Sequence, residues 1–188
     1  MEKNLVFKAM KNMNKNSESI ILFDSISDLD DLDKINSEHT SKIISFDYDT
    51  HNILKDKKIN HETSDNYLSK NDLKIIQKTA YSISEWYSSD VISKDISYKG
   101  VNLGSLVKAE LINILVNYIK KFFELYKISN HFTNSTFIGS QTCCKIMENF
   151  SKKIIKFKNS NTENFQLIPL DSIKIKMKIG TKNHSMEF

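Results

Sequence analysis

The chain has 188 residues, of which 39% are hydrophobic and 27% are charged, so it can form one ordinary globular core. All 27 basic residues are lysines, against 23 acidic residues, and the formal net charge is +4. Specific recognition of phosphates and bases relies heavily on arginine, so this composition argues against a nucleic-acid partner.

The cysteines and the N-terminus indicate a cytoplasmic protein. Cys143 and Cys144 are adjacent, a spacing that strains a disulfide and matches no metal site. We interpret them as small buried residues of a helix in a reducing compartment. Residues 1–18 have no apolar signal region and are predicted to form a flexible or loosely helical leader. No run of about 18 apolar residues occurs, so no membrane-spanning helix is predicted.

The first half of the chain predicts a parallel sheet. Residues 20–23 are a short apolar run that ends in Asp24, and residues 42–48 are a second such run that contains Asp47. Uninterrupted apolar runs of this length are typical of strands that are buried on both faces. A short helix over 50–57 and a third strand over 59–61 complete the strand–helix–strand pattern of a parallel sheet.

Aspartates follow the first strand at positions 28, 30, 31 and 33. A solvated helix or loop face is the favoured interpretation of these acids over a metal site, since the glycine and glutamate of a calcium-binding loop are missing. We therefore predict no metal site.

Two amphipathic helices are predicted in the middle of the chain. Ser69 to Asp72 form a capping box for a helix over 71–87, and a loop is expected over 88–99. Asn102 is predicted to cap a long helix over 103–127 that crosses the domain, with its apolar residues at three- and four-residue spacing. Leu111, Ile114 and Leu115 are expected to be buried.

The last third of the chain continues the alternation. Strands are predicted over 136–138 and 154–157, with a helix over 141–152 that Ser140 caps, and a further extended piece over 165–169. The tail over 171–188 alternates isoleucine or methionine with lysine, which predicts an edge strand or a hairpin arm. The predicted fold is therefore an α/β, Rossmann-like three-layer domain over residues 19–170, with a mostly parallel sheet and a long crossing helix.

The sequence has no strong catalytic motif. It lacks the Gly-x-Gly-x-x-Gly fingerprint, the phosphate-binding loop and the nucleophile elbow, and its five histidines form no metal pair at helical spacing. We predict no cofactor.

Three places remain as candidate substrate-binding positions. Asp24 and Asp47 lie at strand ends, where ligands of open α/β sheets collect, although acids that cap the following loops are favoured. His61 and Asp65 fit either acid–base chemistry or a turn stabilised by side chains. Asn102 and Gly104 fit either an anion seat at a helix start or simple capping.

Two segments resemble surface-carbohydrate biosynthesis proteins, glycosyltransferases with two Rossmann-like domains in the GT-B architecture. The first segment runs from Ile44-Ser45-Phe46-Asp47-Tyr48 through Ile59-Asn60-His61 to Ser64-Asp65-Asn66-Tyr67-Leu68. The second is Tyr98-Lys99-Gly100-Val101-Asn102-Leu103-Gly104 with the helix that follows. The similarity covers about residues 19–170 and is a pattern of residues, with no diagnostic motif.

The resemblance implies the acceptor-side, N-terminal domain of a GT-B-like glycosyltransferase in cell-surface polysaccharide biosynthesis. In that architecture a second domain supplies most of the nucleotide-sugar site, so we expect the isolated chain to be inactive. The implied ligand is a sugar or sugar-phosphate acceptor, with a nucleotide-sugar bound only when a second domain is present. A lipid-linked acceptor would bring the protein to a membrane surface.

Two other interpretations stay open. The first is a non-enzymatic Rossmann-like binding or regulatory module. The second is a small free-standing hydrolase or phosphotransferase, which is less favoured because no nucleophile constellation is visible in the sequence.

Overall fold

A computed structural model of the chain describes residues 18–25, 29, 41–157, 174–179 and 182–187. It has the predicted α/β fold, with a parallel five-stranded sheet flanked by helices. The strand order is β3-β2-β1-β6-β7. The five strands are β1 (Ser19–Phe23), β2 (Ser41–Ser45), β3 (Glu62–Thr63), β6 (Thr136–Gly139) and β7 (Ile154–Lys156).

The central strand β1 is buried along its whole length because its residues are almost all apolar. It pairs in parallel with β2 on one side and with β6 on the other, so that Ile21 lies opposite both Ile43 and Ile138. On the other face of the strand, Ile20 and Leu22 are also fully buried. Burial on both faces explains why the strand is a continuous apolar run rather than an alternating one.

Helix α1 (Tyr48–Asp56) follows β2 and packs its inner side on one face of the sheet. Leu54 is completely buried there, among residues from four strands and the segments beside them. The other buried members of this cluster are Ile21, Phe23, Leu29, Ile43, Ile138 and Phe157. The cluster is the core of this part of the molecule.

The third strand lies later in the chain than predicted. Residues 59–61 do not pair with the sheet, and β3 begins at Glu62 instead. After α1 the backbone turns through Lys58, which has a left-handed φ of 56°. The amide of Ile59 then donates to the carbonyl of Leu54, which ties this segment to the helix rather than to β2.

Helix α6 (Gln141–Met147) connects β6 to β7, and the prediction for this connection is confirmed apart from the helix length. Ser140 caps the helix by accepting a hydrogen bond from the amide of Cys143. Cys143 and Cys144 are both buried and unpaired with each other, as predicted. The helix ends at Met147 instead of near residue 152, because the chain closes in a turn there.

The chain divides into two compact units, of which the second consists of residues 65–128. The sheet and helices α1 and α6 belong to the first unit. The second unit contains four helices: α2 (Lys70–Ser84), α3 (Asp90–Asp95), α4 (Leu103–Leu106) and most of α5 (Lys108–His131). It also contains the small hairpin of β4 (Ser97–Tyr98) and β5 (Val101–Asn102).

The beginning of α2 confirms the predicted capping box. The hydroxyl of Ser69 accepts from the amide of Asp72 at 3.1 Å, and the carboxylate of Asp72 accepts from the amide of Ser69 at 2.9 Å. The same carboxylate forms an ion pair with Lys127 at 2.8 Å. Asp72 is thus buried with its charge fully compensated.

The long helix is broken, contrary to the prediction of one continuous helix over 103–127. Val107 has non-helical dihedral angles that separate α4 from the 24-residue helix α5. Leu103, Leu106 and Val107 are exposed rather than buried. The predicted loop over 88–99 is also wrong, because it contains α3 and strand β4.

The predicted inner face of α5 is only partly right. Leu115 is buried, whereas Ile114 is exposed and Leu111 is half-buried. The buried face lies mainly in the second half of the helix and includes Ile119, Phe122 and Leu125. The buried residues do repeat every three or four positions, as predicted. The same apolar pattern, however, extends into the first part of the helix, where the side chains are exposed or half-buried.

The C-terminal tail contains the predicted hairpin arm. Strands β8 (Lys174–Ile179) and β9 (Lys182–Glu187) pair antiparallel and form a sheet of their own. The predictions for residues 1–17, for the aspartates at 28 to 33 and for the extended piece over 165–169 lie outside the described residues.

The capping carboxylate makes the stability of the protein depend on pH. Burial raises the pKa of Asp72, but hydrogen bonds and charge from Lys127 and Ser69 lower it by more, so the pKa lies below its ordinary 3.8. A depressed folded-state pKa stabilises the protein above 3.8, and this stabilisation is lost as the pH falls through the lowered value. Asp72→Asn should therefore lower the unfolding free energy at pH 7 and flatten its dependence on acid pH.

Urea denaturation at several pH values measures this effect. Asp95→Asn is the matched control, because Asp95 is an exposed acid of the same unit. Equal acid sensitivity in wild type and Asp72→Asn would contradict the assignment.

Candidate functional site

The order of the strands marks one edge of the sheet as the place for a ligand. From β1 the chain adds β2 and β3 on one side, and later adds β6 and β7 on the other. The topological switch point therefore lies between β1 and β6. In open parallel sheets, ligands bind in the crevice outside the carboxyl ends of the strands at such a point.

Polar side chains follow both strands of the switch point. Asp24 follows β1, and Ser140 follows β6. The thiol of Cys143, in the first turn of α6, donates a hydrogen bond to Oδ2 of Asp24 at 3.4 Å. This contact connects the chain after β1 to the helix after β6, so the two sides of the switch point are held together.

Gly139 allows β1 and β6 to approach closely beneath these side chains. A Cβ atom at this position would lie 3.2 Å from Cβ of Leu22 and 3.3 Å from its carbonyl oxygen. Any larger residue would press against the backbone of the central strand. The floor of the crevice is therefore tightly packed.

Asp47 lies at the same edge, after the neighbouring strand β2. It caps α1 by accepting from the amide of Thr50 at 2.7 Å through Oδ1. Its other carboxylate oxygen, Oδ2, and the hydroxyl of the fully buried Thr50 have no hydrogen-bond partner among the described residues. Buried polar atoms are nearly always satisfied in native proteins, so this pair needs an explanation.

The two unpaired atoms have complementary chemistry. A carboxylate oxygen only accepts hydrogen bonds, whereas a threonine hydroxyl can donate one. A hydroxyl group within reach of both atoms could donate to Asp47 and accept from Thr50. We define the carboxyl-edge site as Asp24, Asp47, Thr50 and Ser140.

The sequence pattern predicted part of this site. It placed Asp24 and Asp47 at strand ends, where the structure has them, and it predicted that Ser140 caps a helix. It gave no role to Thr50, because a threonine in the first turn of a helix is unremarkable until its burial is known. The contact between Cys143 and Asp24 joins residues that are far apart in sequence, so no local pattern indicates it.

His61 does not belong to the carboxyl edge. It precedes β3 rather than following a strand, because β3 begins one residue later. Its Nδ1 lies 2.8 Å from the carbonyl of Ile59, and its Nε2 lies 2.8 Å from Nδ1 of His51. The pairing of these histidines was not predicted.

Asp65 belongs to the second unit and is held by an ion pair there. Its carboxylate lies 2.8 Å from Nζ of Lys120. Burial lowers the pKa of Lys120, but Asp65 and Glu124 raise it by more, so this pKa lies above its ordinary value and the lysine stays charged. Asp65 is thus the partner of a lysine rather than of His61.

Asn102 and Gly104 also belong to the second unit, where they stabilise the start of α4. Oδ1 of Asn102 accepts from the amide of Gly104 at 2.9 Å, and its Nδ2 donates to Ser93 at 3.0 Å. Gly104 is buried against Tyr87 and Ile96. The geometry is that of helix capping, and the cap uses the amide that an anion would need.

Cys144 is unsuited to nucleophilic chemistry. Burial raises the pKa of its thiol to about 11, although the charge of Lys156 lowers it somewhat. The thiol lies near two backbone carbonyls, those of Gly139 and Ile155. It is therefore protonated at neutral pH and acts as a small packing residue.

In the ranges that the structure describes, no three side chains of the metal-binding types come together. None of the helices in those ranges has both the length and the apolar character that a membrane crossing requires. Comparisons with protein families, with curated proteins and with solved structures find no match to this chain.

Proposed function

We propose that the carboxyl-edge site binds a sugar, and that the chain is the acceptor-side domain of a GT-B-like glycosyltransferase in cell-surface polysaccharide biosynthesis. The observation that carries the sugar-binding proposal is the pair of buried polar atoms on Asp47 and Thr50. A sugar hydroxyl donates and accepts hydrogen bonds at once, so one such group would satisfy both atoms.

The charge of the site favours a neutral sugar over a phosphorylated one. Two carboxylates, Asp24 and Asp47, follow neighbouring strands of the sheet. Carboxylates accept hydrogen bonds from sugar hydroxyls, but they repel phosphate at neutral pH. The acceptor is therefore proposed to present hydroxyl groups to this edge and to keep any phosphate away from it.

The transfer reaction itself rests on the resemblance to surface-carbohydrate biosynthesis proteins. In that architecture the nucleotide-sugar is held mainly by a second domain, so the donor is proposed to bind only when such a domain is present. The described residues accordingly have the task of holding the acceptor. A regulatory module that binds a sugar without transferring it shares the same site but needs no second domain.

Ligand titration tests the proposed sugar binding. A panel of glucose, galactose, mannose and N-acetylglucosamine, with glucose 1-phosphate for comparison, is titrated into the ¹⁵N-labelled chain of 188 residues. The expected result is a set of amide shifts at residues 24–25, 47–50 and 140–143, with the neutral sugars binding more tightly than the phosphate. Shifts confined to residues 65–128 would contradict the proposal.

Removing one hydroxyl should separate sugar binding from stability. Thr50→Val has the same shape but lacks the buried hydroxyl, which has no partner in the described structure. We expect the free energy of unfolding to rise by about 1 kcal/mol, because an unsatisfied buried hydroxyl is lost. Sugar binding should fall by about tenfold, because one hydrogen bond to the ligand is lost.

Thr79→Val in α2 is the matched control, since Thr79 is half-buried and lies in the other unit. A Thr50→Val protein that is less stable than wild type would show that the hydroxyl is already hydrogen-bonded in the free protein. Unchanged sugar affinity in that variant would remove Thr50 from the site.

A further inference from the structure

Two histidines face each other at the edge of the sheet opposite β7. His51 lies on α1, and His61 lies in the segment that joins α1 to β3. Nδ1 of His51 and Nε2 of His61 are 2.8 Å apart, and the ring centroids are 4.9 Å apart. The left-handed turn at Lys58 reverses the chain after α1 and brings the second ring back to the first.

The orientation of His61 is fixed by its other ring nitrogen. Nδ1 lies 2.8 Å from the carbonyl oxygen of Ile59, which can only accept a hydrogen bond, so this nitrogen carries the proton. In the neutral ring, Nε2 is then a bare lone pair that faces His51. A backbone carbonyl that holds the remote nitrogen in this way is the usual support of a metal-binding histidine.

His51 offers the second nitrogen from a helical position. Between two neutral rings, a hydrogen bond forms only if Nδ1 of His51 carries its proton. The other neutral tautomer of His51 presents a lone pair at Nδ1, and two lone pairs 2.8 Å apart repel each other unless a cation lies between them. Both residues are half-buried, so water and ions can reach the rings.

The distance between the nitrogens indicates which cations fit. Metal–nitrogen bonds to histidine are about 2.0 Å long, so an ion bound to two nitrogens 2.8 Å apart has a bond angle of about 90°. Adjacent positions of a square-planar or tetragonal ion have this angle, which is the preference of Cu²⁺ and Ni²⁺. Zn²⁺ in tetrahedral sites needs a wider angle.

We propose that His51 and His61 form a two-histidine chelate for a divalent cation of the Cu²⁺ and Ni²⁺ class. No third histidine, cysteine or carboxylate joins the pair within the ranges that the structure describes. The remaining positions of the cation are therefore filled by water or by an added ligand, and the ion exchanges readily instead of serving as a structural centre.

Electron paramagnetic resonance of the 188-residue chain with one equivalent of Cu²⁺ tests the proposal. Glycine in the buffer suppresses binding by single histidines. The expected spectrum shows a tetragonal copper ion with coupling to two imidazole nitrogens, and affinity should decrease in the order Cu²⁺, Ni²⁺, Zn²⁺. Cu²⁺ should also raise the melting temperature, because the pair is brought together by folding.

Three glutamine variants locate the ion. His51→Gln and His61→Gln should each lower the Cu²⁺ affinity by at least about tenfold, since a chelate needs both rings. His131→Gln, at an exposed helix end, should bind Cu²⁺ as wild type does. Circular dichroism of each variant verifies that the fold is kept.

Several results would overturn the chelate. These are an affinity that falls in only one of the two pair variants, a spectrum with a single nitrogen, and no saturation at about 1 mM Cu²⁺. His51 directly follows Thr50 of the carboxyl-edge site in the chain, but the test of the chelate uses the metal alone and so does not depend on the sugar-binding proposal.

Discussion

Leu54→Ala is expected to lower the free energy of unfolding by about 2–5 kcal/mol. Leu54 is fully buried on the inner side of α1, against a core cluster with members on β1, β2 and β6. Alanine removes the contacts of the side chain and leaves a cavity that rigid strands on the other side cannot fill. Chemical denaturation followed by far-ultraviolet circular dichroism measures the change.

Leu106→Ala is the matched control for this prediction. It makes the same chemical change at a residue that is 64% exposed, so the expected loss is below about 0.5 kcal/mol. Sequence periodicity predicted that Leu106 is buried as well, because it fits the apolar pattern of the predicted long helix. Similar losses of unfolding free energy in Leu54→Ala and Leu106→Ala would contradict the burial of Leu54 between α1 and the sheet.

Gly104→Ala is expected to destabilise the second unit by about 1–3 kcal/mol. A Cβ at this position would lie 2.6 Å from Cγ of Tyr87 and 3.0 Å from Cδ1 of Ile96, well inside normal contact distances. The ring of Tyr87 cannot retreat easily, because the backbone of its residue also accepts a hydrogen bond from Asn102. The added methyl group therefore separates α4 from the segment around Tyr87.

The only tryptophan of the chain, Trp86, precedes Tyr87 and provides the measurement. In Gly104→Ala its fluorescence should change at a lower denaturant concentration than in wild type. Gly100→Ala is the control that distinguishes a steric clash from backbone strain. Gly100 has a φ of +79°, which strains any other residue, but an added Cβ there would have no atom within 4 Å. That variant should lose about 1–2 kcal/mol from backbone strain alone, with the packing around Tyr87 left intact. A Gly104→Ala protein as stable as wild type would contradict the close contact.

The sequence predicted correctly those strands and helix caps that are determined by residues close together in the chain. The strands β1 and β6 each contain a short apolar run, and the capping box at Ser69 and the helix cap at Ser140 depend on side chains within three residues. For these elements the sequence contains the whole cause, so the structure agrees with the prediction. The α/β class follows from their alternation along the chain.

The features that were mispredicted depend on contacts that are distant in sequence or on coverage by other segments. The spacing of apolar residues along 103–115 shows which residues share a helix face, but it does not show where that face stops being covered. Likewise, the pairing of His51 with His61 depends on the left-handed turn at Lys58, which is a lysine rather than a glycine or asparagine. Nothing in the spacing of the two histidines indicates that turn.

The position of β1 in the middle of the sheet has a consequence for how the protein is made. β1 finds β2 soon after synthesis, but the register of Ser19 with Thr136 requires residues that leave the ribosome much later. At ordinary elongation rates that interval is on the order of ten seconds, long compared with the formation of helices and hairpins. Throughout it, one side of an almost entirely apolar strand has unpaired amides and carbonyls that another nascent chain could pair with. The nascent chain is therefore most prone to aggregate after β1 and before β6 has been synthesised. A chaperone that binds β1 during this interval would protect the chain until β6 can pair with it.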